Sequence, residues 1–357
     1  MALSERIKSP GFIALAIAIV LFLLFTQSIA GTIGFAIIFG IPLFAMNALP
    51  PYATRGEIIG KYAFLAICTI IFIFLITPIL IIIPLSFNAE PYFSFTEGMM
   101  ALDPNAYSSR WYADIFRFGM TAPDAIEGWW EDMWNNATWI RAFRNSFFLA
   151  IASTLLATFL GTLAALGLSR PEMPFRAAIT SLLISPMIVP LVITATGMFF
   201  FYGGTMKGVL PFYPDGLAKT YLGLVLAHTT LGVPFVIITV TATLSGFDRS
   251  LIRASQSMGA NGFITFFKVI MPLILPGMIS GALFAFITSL DEVVAVIFMA
   301  DVEQRTIPRQ MFSGLREQIS PTILAVATIL VIMSIILLTA VELLRRRSER
   351  LRGLSPG

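Results

Sequence analysis

Six long apolar runs constrain the fold of this chain more than any other feature of its sequence. They occupy residues 62–85, 146–168, 179–201, 222–244, 273–299 and 323–344. About 20 apolar residues form an α-helix long enough to cross the hydrocarbon core of a bilayer. Helices satisfy their own backbone hydrogen bonds in lipid, and the chain lacks the short alternating strands of a membrane barrel. The sequence therefore predicts an all-α membrane protein with a six-helix core.

Two further apolar segments, residues 12–29 and 31–46, precede these runs with almost no loop between them. The pair is too long for a signal peptide and has no clear small-residue cleavage site. It is either a tight transmembrane hairpin or a re-entrant segment, and two crossings would give about eight transmembrane helices. We divide the chain into residues 1–61 (apolar pair and cytoplasmic linker), the transmembrane domain 62–345 and the basic tail 346–357.

Charge predicts how the helices are oriented. If the apolar pair crosses the membrane twice, most basic residues lie on one side. They are Arg6, Lys8, Arg55, Lys61, Arg170, Arg176, Arg249, Arg253, Lys268 and those of the tail "RRRSERLR". The segment 87–145, which is rich in Asp and Glu, lies on the other side. Excess Lys and Arg mark the cytoplasmic side. We therefore expect a multi-pass protein of the bacterial inner membrane, with both termini cytoplasmic and the tail at the anionic lipid surface.

Composition disfavours several kinds of chemistry. Cys68 and His228 are the only cysteine and histidine, so an internal disulfide is impossible and a His/Cys metal cluster is not expected. The sequence has no G-x-x-x-x-G-K-[ST] phosphate loop, so it does not predict ATP hydrolysis by this chain. The spans also lack the clustered titratable groups of a membrane-embedded enzyme. We expect no cofactor bound to this chain and no nucleic-acid partner.

The segment 87–145 is too long for a simple turn. Its stretches "SSRWYADIF" and "EGWWEDMWNN" carry Trp111, Trp129, Trp130 and Trp134. Tryptophan is enriched at membrane interfaces, so these residues could form an aromatic belt. The alternative is a docking surface for an extracytoplasmic partner, and the two interpretations are compatible.

The loop 245–272 predicts two short helices rather than a simple connector. Ser245 and Asp248 fit the S-x-x-D start of a helix. An apolar face then recurs at helical spacing at Phe247, Leu251, Ala254 and Met258. Gly259 suits a left-handed cap. A second apolar face consists of Phe263, Phe266, Phe267 and Ile270. Pro272 then opens the next span. Such a basic amphipathic surface suits either a groove in a partner or the inner membrane surface.

This loop resembles the "EAA" loop of ABC importer permeases, whose pattern is roughly E-A-A-x3-G-x9-I-x-L-P. Ala254, Gly259 and Pro272 match the pattern at the expected spacing. The departures are Arg253 for glutamate, Ser255 for alanine, Val269 for isoleucine and Met271 for leucine. The arginine reverses a charge at the position where the family presents a carboxylate to its ATPase.

The resemblance extends from about Tyr62 to the C-terminus. The spans containing "SFFLAIASTLLATFLGTLAALGLSR", "ISPMIVPLVITATGMFF", "HTTLGVPFVIITVTATLSGFD" and "SLDEVVAVIFM" resemble those of the spermidine/putrescine-type permease subunit. "SLDEVV" is the element that most favours the polyamine branch. Importers of iron, thiamine, opines or other small organic solutes share much of the rest.

The resemblance implies a six-helix importer permease that works with other subunits. Its partners would be a second permease subunit, expected to be a different chain, two copies of a cytoplasmic ATP-binding subunit that bind ATP and Mg, and a periplasmic substrate-binding protein. The loop would act as a coupling helix docked into the ATPase. The residues implied in coupling are Asp248, Leu251, Arg253, Ala254, Ser255, Met258, Gly259 and Pro272.

Three titratable residues in the apolar runs are candidates for the translocation path. Asp291 and Glu292 fall in the run 273–299, and His228 falls in 222–244. Carboxylates inside a membrane are costly and usually functional, and an acidic path would suit a cation. The alternative is a structural, hydrogen-bonded role, which we favour for His228. Asp291 and Glu292 could instead serve an ion-coupled secondary transporter, although no matching acidic site appears in the other half.

Overall fold

A computed structural model describes residues 54–170, 172–248, 250–317 and 320–351. The predicted apolar pair at 12–46 lies outside the described residues, as do Arg249 and the end of the basic tail. The chain divides into two compact units, one ending at Leu85 and one beginning at Ser86.

The described part of the first unit is helix α1, Arg55–Leu85. It begins seven residues before the predicted span because Thr54 and Glu57 cap it reciprocally. The Thr54 N–H donates to Glu57 Oε2 at 2.7 Å, and the Glu57 N–H donates to Thr54 Oγ1 at 3.3 Å. This capping box satisfies two backbone donors that a helix start leaves without partners.

The second unit opens with the segment 86–137, which contains three short helices and a 3₁₀ turn. The elements are α2 (Glu97–Met100), the 3₁₀ turn Pro104–Ala106, α3 (Arg110–Arg117) and α4 (Trp129–Asn136). Buried side chains hold them together: Trp111 Nε1 donates to the Asn88 carbonyl at 2.7 Å, and Asn88 Nδ2 donates to the carbonyls of Tyr92 and Ser94. The long segment is therefore folded and is not a simple turn.

Three helices form the centre of the second unit: α5 (Thr138–Leu168), α8 (Tyr221–Ser245) and α11 (Met271–Leu290). Small residues allow their backbones to approach closely. A Cβ added at Gly161 of α5 would lie 2.6 Å from Val236 Cβ of α8, and one at Gly281 of α11 would lie 2.8 Å from Val236 Cα. Apolar burial at these crossings therefore depends on glycine.

The run predicted as one span at 179–201 is two helices. They are α6 (Arg176–Ile188) and α7 (Leu191–Phe200), the second continued by a π turn at Phe201–Thr205, and they bend by 103°. The bend falls at Val189 and Pro190. Proline has no N–H and disfavours helical geometry in the residue before it, which explains the break.

The prediction of a continuous span at 273–299 is wrong at both ends. The helical path begins with α10 (Gly262–Thr265), passes through a π turn at Phe266–Ile270, and ends with α11 at Leu290. After a break come α12 (Val294–Met299), the 3₁₀ turn Val302–Gln304, α13 (Ile307–Glu317) and α14 (Thr322–Leu351). In the described ranges, five helices are long and apolar enough to cross a membrane, or six if the bent pair is one span. The predicted all-helical core is confirmed.

Candidate functional site

The first candidate site is the loop 245–272, in which α9 (Ser250–Ser257) meets α10. Gly259 lies between them at φ +83°, a conformation that side chains disfavour. Asn261 then caps α10, because its Oδ1 accepts the Ile264 N–H at 2.9 Å. Two local devices therefore set the angle between the short helices, as the glycine in the sequence predicted.

A buried hydroxyl pair joins the two short helices. Ser255 of α9 is 4% exposed and Thr265 of α10 is 2% exposed, and their side-chain oxygens lie 2.9 Å apart. Alanine, which the family pattern has in place of Ser255, could not make this bond. The departure at Ser255 thus has a structural reason that the sequence alone did not show.

Asp248 stabilises the start of α9. Its Oδ1 accepts the Ser250 N–H at 2.8 Å, and its Oδ2 accepts the Ser250 hydroxyl at 2.6 Å. The Ser250 hydroxyl, the Ser250 N–H and the charge of Arg253 together hold the pKa of Asp248 below its ordinary value. The predicted helix start at Ser245 is wrong, because Ser245 is the last residue of α8 and its hydroxyl donates to the Ala242 carbonyl.

The loop exposes apolar and basic side chains together. Met258 is 83% exposed, Phe263 is 72% exposed and Leu251 is 42% exposed. Arg253 and Ala254 are also exposed. An apolar surface of this kind, beside a cation, has the composition of a docking surface.

The predicted second helix does not end before Pro272. It continues through the π turn into α11, with Pro272 in the first turn of α11. Proline removes one i→i−4 hydrogen bond and its ring crowds the carbonyl one turn earlier. The wider π turn immediately before Pro272 accommodates that disruption without breaking the helix.

The second candidate site is the break between α11 and α12, where Asp291 and Glu292 lie. Glu292 is 6% exposed, and its Oε1 accepts the Ala295 N–H at 2.8 Å at the start of α12. Asp291 ends α11 and has an exposed side chain. The two carboxylates therefore have different environments. Glu292 is buried and accepts a backbone hydrogen bond at the start of α12, whereas the side chain of Asp291 is exposed.

Asp291 lines an apolar cavity of about 330 Å³ between α5, α11 and α14. Its other lining residues include Phe147, Phe286, Leu290, Leu330 and Met333. Such a cavity with a single carboxylate can hold a cation that carries an aliphatic chain, since the methylenes pack against apolar walls and the carboxylate receives the charge.

His228 belongs to a buried hydrogen-bonded chain beside this break. Its Nδ1 lies 2.7 Å from Ser289 Oγ of α11, and the Ser153 hydroxyl of α5 lies 3.1 Å from the same oxygen. The chain ties the three central helices together two residues before Asp291. His228 is thus placed for the interhelical bonding that we favoured. The sequence analysis missed Ser153 and Ser289, because a lone serine in an apolar run gives no signal of its partner.

Comparison with protein families identifies the class of this chain. Residues 157–351 match the family model described as binding-protein-dependent transport system inner membrane component. The match covers the last part of α5, all of α8 and α11, the loop 245–272 and the break at Asp291. The chain belongs to this family and is a multi-pass inner-membrane permease of a binding-protein-dependent ABC importer.

The chain is also similar to individual permease proteins of known transport systems. The chain is 30% identical over 233 residues to the spermidine/putrescine transport system permease protein PotC of Haemophilus influenzae, covering 65% of this chain and 87% of that protein. It is 27% identical over 278 residues to PotC of Escherichia coli K12, covering 78% and 92%. It is 28% identical over 287 residues to the putrescine transport system permease protein PotI of the same strain, covering 80% and 89%.

A solved structure supports the fold. The chain superimposes with a TM-score of 0.58 on a chain in the crystal structure of a bacterial ABC transporter involved in the import of the acidic polysaccharide alginate. The match covers 84% of this chain and 99% of that one at 16% identity. The likeness confirms the predicted importer-permease fold.

Proposed function

We propose that this permease carries a polyamine or a related organic cation, and that Asp291 receives the cation during translocation. The observation that carries the proposal is the single exposed carboxylate in an apolar cavity. A flexible diamine or triamine matches that chemistry. The names of the relatives PotC and PotI, which transport spermidine and putrescine, support the same substrate class.

Membership in the family supports a proposal for the remaining subunits. We propose a second, different permease chain, two copies of a cytoplasmic ATP-binding subunit that bind ATP and Mg, and a periplasmic substrate-binding protein. ATP hydrolysis belongs to the ATP-binding subunit, and this chain supplies the path. The exposed apolar surface around Met258 and Phe263 supports the loop 245–272 as the ATPase-docking element.

The helix directions show which segments lie at each end of the second unit. Asn145 near the start of α5 accepts a hydrogen bond from Tyr221 at the start of α8, so these helices run in parallel. Ser289 near the end of α11 meets Ser153 and His228, so α11 runs the other way. The loop 245–272 and the segment 86–137 therefore lie at opposite ends. We place the loop in the cytoplasm, together with the termini, because basic residues gather there.

The test is uptake of radiolabelled spermidine by proteoliposomes that contain the complete transporter. We expect Asp291→Asn to reduce uptake by about 10-fold or more, because loss of one charge partner in an apolar site costs at least about 1.4 kcal/mol. The control is Glu127→Gln, an equal charge change at an exposed residue of the segment 86–137. Putrescine should compete with spermidine for uptake by the wild type, and a neutral solute should not.

Two outcomes would overturn parts of this proposal. Equal uptake by Asp291→Asn and the wild type would remove Asp291 from the path. Uptake by vesicles that contain this chain without an ATP-binding subunit would favour the alternative, an ion-coupled secondary transporter.

A further inference from the structure

A cavity with several polar side chains in its wall, at the end of the second unit opposite the loop, is not used by the proposed path. The cavity has a volume of about 290 Å³ and lies between the start of α5, α13 and the start of α14. Arg305 enters it together with the polar side chains of Thr138, Gln310, Ser313, Ser320 and Thr322. Phe118, Trp139 and Ile323 form apolar parts of its wall. We call this cavity the Arg305 socket.

Arg305 differs from Arg309, four residues later in the sequence, and from Arg141, which lines a neighbouring cavity together with Arg305. Arg141 pairs with the carboxylate of Glu303. Arg309 Nη1 donates to the carbonyls of Val296, Ala300 and Asp301, at 3.3, 3.0 and 3.2 Å, and so caps the end of α12. Both guanidinium groups are therefore compensated by oxygen acceptors.

Arg305 lacks comparable compensation within the described part of the chain. Its side chain makes one long contact, from Nη1 to Gln310 Oε1 at 3.4 Å. Its Nε is buried and has no hydrogen-bond partner there. A guanidinium with a single long bond to an acceptor is poorly compensated, and an incoming carboxylate would supply acceptors to its Nη groups.

The charge around the socket favours an anion. None of its described lining residues is acidic. Burial and then the nearby charge of Arg305 lower the pKa of Arg309, which is a sign that the two cations are close together. A guanidinium binds a carboxylate through two parallel N–H···O bonds, and the hydroxyls around Arg305 can donate further bonds.

We propose that the Arg305 socket receives an acidic side chain of the substrate-binding protein when that protein docks on the permease. The proposal rests on the proposed function, which places this end of the second unit outside the cytoplasm. The volume admits a whole Glu or Asp side chain, with its carboxylate at Arg305 and its methylenes against Trp139 and Ile323. A cationic substrate is repelled by Arg305, so the socket is a docking site and not part of the cation path.

The test is binding of the spermidine-loaded binding protein to the complete transporter in nanodiscs of constant lipid composition. We expect Arg305→Gln to weaken binding by about 10-fold or more, since truncation of one partner of a buried charge pair has effects of this size or larger. Arg305→Lys retains the charge without the planar fork and should be intermediate. The matched control, Arg316→Gln, removes an exposed guanidinium from α13, which begins two residues after Arg305, and should leave binding within about twofold of the wild type.

Three further measurements separate docking from misassembly of the transporter and from a change in its overall charge. Basal ATP hydrolysis without the binding protein should be equal in Arg305→Gln and the wild type, which shows that the variant is assembled. Ser313→Leu should fill the socket and weaken binding while Arg305 is retained. Arg305→Glu should lose binding, and a Lys substituted for one acidic residue on the docking face of the binding protein should restore it.

The alternatives have distinct outcomes. Unchanged binding by Arg305→Gln, with a functional wild type, overturns the socket alone. Thermal stabilisation of the wild type by sodium acetate, lost in Arg305→Gln while binding-protein affinity is unchanged, assigns the socket to free carboxylates and overturns docking. A wild-type transporter that binds no substrate-binding protein overturns both the socket and the proposed function.

Discussion

The loop 245–272 and the segment 86–137 lie at opposite ends of the second unit, and they are stabilised in different ways. The loop buries one hydroxyl pair, Ser255 and Thr265, and exposes large apolar side chains such as Met258 and Phe263. The segment buries Trp111 against Asn88 and packs Trp111, Ile115, Trp139 and Ile323 in one apolar cluster.

This difference indicates what each region requires from a partner. The segment satisfies its own buried polar groups and is anchored by the packing of Trp111 and Ile115 against α5, α13 and α14, so its fold does not depend on a partner although it also exposes Ile126 and Trp130. The loop is held by a few local devices, and its apolar face remains exposed. A surface of that kind is completed by the protein that covers it. The predictions below test this contrast.

The largest effect is expected where the loop changes direction. Proline cannot adopt φ +83°, so Gly259→Pro should reorient α9 against α10. We expect ATP-driven spermidine uptake to fall to background while the protein still inserts and ATP hydrolysis persists, which separates coupling from assembly. Gly262→Pro places a proline at the first residue of α10, after the extended Asn261, where proline is tolerated, and serves as the matched substitution. Wild-type uptake by Gly259→Pro would contradict the coupling role of the loop.

The next largest effect is expected in the apolar cluster of the other region. Trp111→Ala should destabilise the segment by about 3–5 kcal/mol, because it removes a buried aromatic side chain. Hydrogen exchange should rise across residues 86–117 and stay unchanged across α9 and α10. Trp130→Ala, at a 74% exposed tryptophan, should change the free energy of unfolding by less than about 0.5 kcal/mol. Equal effects of the two substitutions would show that the segment is not held by its buried tryptophan.

A smaller effect is expected at the hydroxyl pair of the loop. Ser255→Ala should cost about 1 kcal/mol, because it removes one buried hydrogen bond. The matched variant Ser257→Ala changes an exposed serine of the same helix that bonds only the Arg253 carbonyl. A double-mutant cycle of Ser255→Ala with Thr265→Val would measure the interaction directly, and additive effects would show that the pair does not hold the two helices together.

The smallest effect concerns a feature that the two regions share. Asp132 accepts backbone N–H groups from Ala122 and Thr121, and the Ala122 bond and then the Asn136 side chain lower its pKa. Asp248 has a lowered pKa from its bonds to Ser250. A carboxyl whose pKa is lower in the folded state stabilises that state above its unfolded pKa, near 3.9, and loses this stabilisation as pH falls through the folded pKa.

We therefore expect local protection of the Ala122 and Ser250 amides to be constant from neutral pH to about pH 4 and to decrease below it. Asp132→Asn should remove the pH dependence at Ala122 alone, and Asp248→Asn should remove it at Ser250 alone. Hydrogen exchange corrected for intrinsic rates measures both. A decrease in amide protection that persists in the matching Asn variant would show that another group causes it.

The apolar runs by themselves determined the helical membrane class, because about 20 apolar residues can reach low free energy in lipid in very few ways. The loop at 245–272 was also readable, because Gly259 and Asn261 act on their own neighbours in sequence. The bend at Pro190 has a local cause as well. Local interactions of this kind leave a pattern in a single sequence.

Tertiary structure alone decided the break after Leu290 and the Arg305 socket. The run 273–299 contains no charged residue except the two adjacent carboxylates. Its first helix ends close to the point where His228 and Ser153, from other helices, meet Ser289. Arg305 lines its cavity together with Thr138 and Thr322, the first residues of α5 and α14. Hydrogen bonds and charge compensation between distant residues depend on how helices pack, and no periodicity in one sequence records that packing.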